Sequence, residues 1–128
     1  MGIKGIMRRN KETKGYHKLL VWQKLKDLLK IVYKLTDKLP KLEEFGLKSQ
    51  MRRAVVSVIS AFVEGYLKKS LKEKHHFLEI AQTSLMELEA QGEICYILGY
   101  WTDKDYNLFE ARRSKAGYFL YRYKLGIK

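Results

Sequence analysis

Few side chains in this sequence have the type and spacing that chemistry needs. His75, His76 and Glu79 are the one cluster that resembles a set of metal ligands, with His75 and Glu79 a helical turn apart. A catalytic zinc site takes three protein ligands and keeps a position open. The remaining histidine, His17, is remote in sequence, so a surface His/Glu pair near a helix start is the better reading and no metal is expected. Cys95, the single cysteine, falls on an apolar stripe. A nucleophilic cysteine wants a base and an electropositive, accessible setting; a small core residue fits Cys95 better. Glu87 and Glu89 are two apart and diverge on a helix, so they do not make an acid/base pair. No glycine-rich phosphate loop and no Ser/His/Asp arrangement is present. The expectation is a protein with no catalytic residues and no cofactor.

Two constellations suit binding instead. Arg52 and Arg53 stand beside an apolar stripe; each needs a carboxylate, solvent or a phosphate, and acids of the third helix or a ligand would serve equally. Nearer the C-terminus, Arg112, Arg113, Lys115, Arg122 and Lys124 interleave with Tyr118, Tyr121 and Tyr123. Cations with aromatics suit phosphate neutralisation plus base stacking, although aromatics at helical spacing also suit a core or an interface. The formal net charge of +12, from 26 Lys and Arg against 14 Asp and Glu, favours a polyanionic partner, nucleic acid before an anionic membrane surface. Solubility alone, or the lysine enrichment of heat-adapted proteins, is the plainer account of the same charge. The residues expected to meet phosphates are Lys26, Lys30, Lys34, Arg112, Arg113 and Arg122.

Four helical segments must position these groups. In the first, about 20–39, Val21, Leu25, Leu28, Val32, Leu35 and Leu39 recur at three- and four-residue spacing, one buried stripe. Lys26, Lys30, Lys34 and Lys38 step by four on the opposite side, and Pro40 stops the helix. The second, about 44 or 47 to 68, carries Leu47, Met51, Ala54, Val55, Val58 and Phe62 on one stripe and Val56, Ile59, Val63 and Tyr66 on another. The third, about 71–98, opens on the capping pattern Ser70 and Glu73, presents Phe77, Ala81, Ser84, Leu85, Leu88, Gly92 and Cys95 to the core, and closes at Gly99. The fourth, about 103–125, has Thr102 as a cap, Asp103 and Asp105 at the positive end of its dipole, and Phe109, Ala116, Leu120 and Tyr123 as its stripe. With one proline and no sustained alternation, the expected fold is all-α: an antiparallel up-down-up-down four-helix bundle over residues 16–128. Residues 1–15, with Gly2, Gly5 and Gly15 among Lys4, Arg8, Arg9, Lys11 and Lys14, read as a flexible basic arm.

The charge is divided between the helices. Residues 71–101 carry Lys72 and Lys74 against Glu73, Glu79, Glu87, Glu89 and Glu93, a net of −3, which leaves +15 on the rest. Such a division can assign one face to nucleic acid and another to a partner. The lone cysteine suits a reducing compartment, no apolar run approaches the roughly 18 residues a membrane span requires, and no secretory signal is visible; a cytoplasmic protein without a membrane partner is expected.

The stretch Ser49-Gln50-Met51-Arg52-Arg53-Ala54-Val55-Val56-Ser57 followed by Glu64-Gly65-Tyr66, with Leu20-Val21-Trp22-Gln23-Lys24 upstream and Phe77-Leu78-Glu79-Ile80-Ala81 and Ser84-Leu85-Met86-Glu87-Leu88-Glu89 downstream, resembles the four-helix bundle family named after proteins encoded in 23S ribosomal RNA intervening sequences. The likeness spans about residues 16–125. That family includes relatives of the accessory variability determinant of diversity-generating retroelements, small basic bundles that form pentameric barrels and bind a reverse transcriptase and nucleic acid. The resemblance implies a homo-oligomer, in its most concrete form a pentamer, that holds a reverse transcriptase and its RNA or cDNA. The alternatives are a ribosomal-RNA-associated protein of an intervening sequence and a purely structural, self-assembling module. Where the family often has proline and asparagine, this chain has Ile59 and Ala61, so an uninterrupted second helix is expected and no role of that asparagine carries over. The second stripe, Val56, Ile59, Val63 and Tyr66, with Trp22, Leu29 and Tyr33 on a flank of the first helix, is the expected oligomer interface, since a bundle helix needs one apolar face and this one has two.

Overall fold

The computed structural model describes residues 14–127, and among them four α-helices carry the fold and no strand occurs. They are α1 (Leu20–Thr36), α2 (Leu47–Leu67), α3 (Leu71–Ile97) and α4 (Asp103–Leu125). Each packs on the next and α4 closes against α1, which is the up-down-up-down bundle that short connections between antiparallel helices produce. Of the basic arm expected over 1–15, residues 1–13 lie outside the described residues. Gly15 already belongs to a 3-10 turn, Gly15–Lys18, that leads into α1.

The stripes of α1 and α2 behave as their spacing predicts. Val21, Leu25, Leu28, Val32, Leu35 and Leu39 are buried, as are Met51, Ala54, Val55, Val58 and Phe62, with Leu47 half-buried. The α-helical ladder of α1 ends at Thr36, three residues before the expected end. Lys38 N–H and Leu39 N–H reach back to the carbonyls of Leu35 and Thr36, so the last turn tightens while still placing Leu39 in the core. The second helix runs unbroken across Ile59 and Ala61, and Ala61 packs inside.

On α3 the buried edge lies one residue away from the expected one at its start. Leu78 is fully buried and Phe77 only partly so. The reason is Gly65: a side chain there would stand 3.2 Å from the Lys74 carbonyl and 3.3 Å from Phe77 Cβ. That close α2–α3 approach tucks Leu78 under the crossing. The Lys74 ammonium then donates to the Tyr66 carbonyl at 3.0 Å, meeting the exposed C-terminal end of α2 with a cation. Further along the same seam Ser57 and Ser84 hydroxyls join at 2.9 Å.

The helix ends follow their local chemistry. Ser70 Oγ accepts from Glu73 N–H at 3.1 Å. Thr102 and Asp105 form a reciprocal box, each side chain accepting the other's N–H. Gly99 adopts φ +76°, and the N–H groups of Gly99 and Tyr100 close on the carbonyls of Tyr96 and Cys95, the glycine-terminated arrangement that ends a helix with a left-handed residue. Trp101, just beyond, is buried with its indole N–H on the Leu35 carbonyl at 3.0 Å, tying the α3–α4 turn to the end of α1. No helix of the described residues is long and apolar enough to cross a membrane.

Candidate nucleic-acid interface

Two contacts fix which sides of α1 and α4 face each other. The Lys24 ammonium lies 5.9 Å from the centre of the Phe119 ring, and Lys38 Nζ binds Asp105 Oδ1 at 2.9 Å. Residues three or four apart share a helix side. Lys34 is therefore on the Lys38 side of α1, whereas Lys30, one turn further back, borders Leu29, Tyr33 and Val56 on the α2 side. On α4, Lys115 and Arg122 flank Phe119 by one turn each, and Arg112 precedes Lys115 by three residues. Lys34, Arg112, Lys115 and Arg122 are all exposed, and none of them makes an ion pair among the described residues. The antiparallel closure of α4 on α1 thus gathers cations that are some eighty residues apart in sequence onto one side, which also carries Asp27, three residues from Lys24, and Asp105, bonded to Lys38.

Not every expected phosphate contact lies there. Arg113 turns to the α3 side, where it bonds Glu110 at 2.7 and 2.9 Å and Glu89 at 3.4 Å, with 15% of its side chain exposed. The Glu110 hydrogen bonds lead the causes that raise its pKa further. It is a strut between α3 and α4, and its charge is already answered. Lys26 is half-buried and has an interaction within the molecule. Lys124 likewise turns to α3 and donates to Gln82 Oε1 at 3.1 Å.

Arg52 is also structural, though its partners are not the acids of α3. It donates through Nε to Thr36 Oγ1 at 2.9 Å and through Nη2 to the Tyr33 carbonyl at 3.1 Å and Asp37 Oδ1 at 2.8 Å, and it stacks over the Tyr33 ring. One guanidinium thus satisfies the end of α1 and pins it to α2, a task that suits a planar fork of donors. The clue in sequence was Asp37 one residue past the helix end. Its neighbour Arg53 points outward and is exposed.

The other candidates take ordinary places. The Cys95 thiol is fully buried against Met51 sulfur at 3.5 Å, and burial, with Glu43 adding to it, pushes its pKa up to about 12. A thiolate is not accessible there at neutral pH. His17 is buried at the start of α1, within an edge-on cluster of Tyr16, Trp22 and Tyr66. Among the described residues no three His, Cys, Asp or Glu side chains converge as metal ligands.

The second apolar stripe of α2 is divided. Tyr66 and Trp22 are half-buried beneath Tyr16, and Ile59 and Val63 are half-buried against the core. Val56 is 45% exposed, and with Leu29, Lys30 and Tyr33 it lines a shallow, largely apolar groove between α1 and α2. The sequence pattern could not reveal that Tyr16, outside the four α-helices, would cover part of this face.

A family model described as 23S rRNA-intervening sequence protein matches residues 17–122. No individual curated protein matches.

Proposed function

From the membership of this chain in the 23S rRNA-intervening sequence protein family, we propose that it is a non-enzymatic accessory protein that binds nucleic acid through the face shared by α1 and α4. The observation that carries this reading is the convergence on that face of exposed Lys34, Arg112, Lys115 and Arg122, which make no ion pair among the described residues, while Arg113 and Lys124 are held by α3. Even a solubilising charge would cost little spread evenly; like charges brought side by side repel unless a polyanion lies over them. The acids of α3 face away, which orients the approach of such a partner.

A phosphate-led mode reads charge rather than sequence. Binding of a mixed-sequence oligonucleotide, followed by fluorescence anisotropy, is expected to weaken by about 10²-fold between roughly 50 and 200 mM salt, the response of about five single-strand phosphate contacts. Affinity that stays flat over that range would overturn the reading.

The family description makes ribosomal RNA the first polyanion to test. The more specific retroelement version, a basic scaffold that holds a reverse transcriptase with its template or cDNA, rests on the resemblance to a family that includes such accessory factors. A neighbouring reverse-transcriptase gene with a template repeat would support it; a position inside a ribosomal RNA gene would support the intervening-sequence version. In either setting we place the protein in the cytoplasm.

The same proposal includes self-association, in its most concrete form a pentamer, through the groove at Val56 with Leu29, Tyr33, Ile59 and Val63, and Trp22 and Tyr66 at its margin. Burying side chains of this size contributes roughly 1.5–3 kcal/mol each. Sedimentation of the wild type is expected to show a defined oligomer, and Val56→Glu, at an exposed position, to shift it to the monomer while far-ultraviolet dichroism is unchanged. A monomeric wild type rejects this part of the proposal.

A further inference from the structure

The basic face ends in a notch. Where the start of α1 meets the end of α4, a depression of about 310 Å³ is lined by Lys18, Leu19, Leu20, Val21, Phe119, Arg122 and Tyr123. It combines aromatic and aliphatic walls with two cations at the rim. Beside it Tyr118 stands 53% exposed, edge-on to Phe119 at 5.3 Å. Arg122 holds it, donating to the Tyr118 hydroxyl at 2.9 Å and lying 5.8 Å from the ring centre. An exposed tyrosine fixed by an arginine, next to an aromatic-walled recess at the end of a row of exposed cations, is more than phosphate neutralisation uses.

We infer that this end of the face takes unpaired nucleotides, with a base stacked on Tyr118 or seated in the notch against Phe119 and Tyr123, and Lys18 and Arg122 on the flanking phosphates. The inference rests on the nucleic-acid reading above and narrows it to single strands, loops or ends. In a duplex every base face is already stacked and only phosphates and groove edges are presented. A lone base offers its π-face to a side chain that has one free. At about 310 Å³ the recess has room for one base. Nothing in it reads a hydrogen-bonding edge specifically, so the preference concerns strandedness and not sequence.

The test uses the full chain and fluorescence anisotropy with four probes: an oligouridylate of about 15 nucleotides, its deoxythymidylate counterpart, and each annealed to its complement. Either single strand is expected to bind at least about fivefold more tightly than its duplex at moderate salt, and the tighter of the two identifies RNA or DNA as the source of the strand. Tyr118→Ala is expected to lower single-strand affinity at least about fivefold with duplex affinity unchanged, and Tyr118→Phe, which keeps the ring, to retain single-strand binding. Because Tyr118 is exposed, neither change threatens the fold. Equal affinity for single strands and duplexes, or an equal loss on both from Tyr118→Ala, overturns the inference and leaves the basic-face reading standing. Failure to bind any of the four probes overturns both.

Discussion

Replacing Lys34, Arg112 and Arg122 together by glutamate is expected to weaken nucleic-acid binding by roughly 10²-fold or more at moderate salt and to flatten the slope of log affinity against log salt by about 2, since each lost phosphate contact removes about 0.7–0.9 from it. The three residues come from two helices and meet only through the α1–α4 closure. They are exposed and make no ion pair among the described residues, so the substitutions leave no buried partner stranded and the thermal midpoint should move little. The comparison that gives the result its meaning is Arg53 with Lys72, two exposed cations on other faces. Their reversal changes net charge by about two thirds as much but removes no contact from the α1–α4 face, so the losses are compared per unit of charge. If both variants lose affinity in proportion to charge alone, the binding is diffuse and the face has no special role.

The second large effect concerns the α3–α4 seam. Gly92 lies where the ring of Phe109 presses against the α3 backbone: a Cβ on Gly92 would stand 2.3 Å from Phe109 Cε2, 2.8 Å from Cζ and 2.9 Å from Cδ2. Phe109 is fully buried and packs on Trp101 at 5.1 Å between ring centres, so it has little freedom to yield. Phe109→Ala is expected to cost about 3–5 kcal/mol by urea denaturation, the usual range for emptying an aromatic core site. Gly92→Ala carries an overpacking penalty of about 1–3 kcal/mol, reduced by the better helix propensity of alanine, up to about 1 kcal/mol. Together they should cost less than the sum, because the new methyl enters the space that the ring vacated. Strict additivity would mean that the two residues do not meet.

Cys95 illustrates how far a stripe can be trusted. Its place among Leu88, Gly92 and the α2 core side chains makes burial the expected outcome, and the thiol is indeed enclosed and pushed far above the neutral range. Spacing alone puts Phe77 on the core side of α3, but Gly65 lets α2 come close enough to favour Leu78 in the crossing, and no period within α3 carries that information.

The sequence by itself determined the bundle. Stripes at three- and four-residue spacing, one proline at the end of α1, capping residues at 70 and 102 and a glycine at 99 leave no competing architecture, because each is local and each agrees with the others. It also determined the sign of the surface and the basic–acidic division between helices. Only the tertiary structure decided which cations are free. Arg112 and Arg113 are neighbours in the chain, yet the turn of the helix between them sends one to the open α1–α4 face and the other into the carboxylates of α3. Arg52, equally basic on paper, is consumed by the end of α1. The notch beside Tyr118 likewise has no signature in the chain, since its walls come from residues 18–21 and 119–123. A helical period tells which side of one helix is apolar; what a charged side chain meets depends on the helix that packs beside it, and that is a property of the assembled bundle alone.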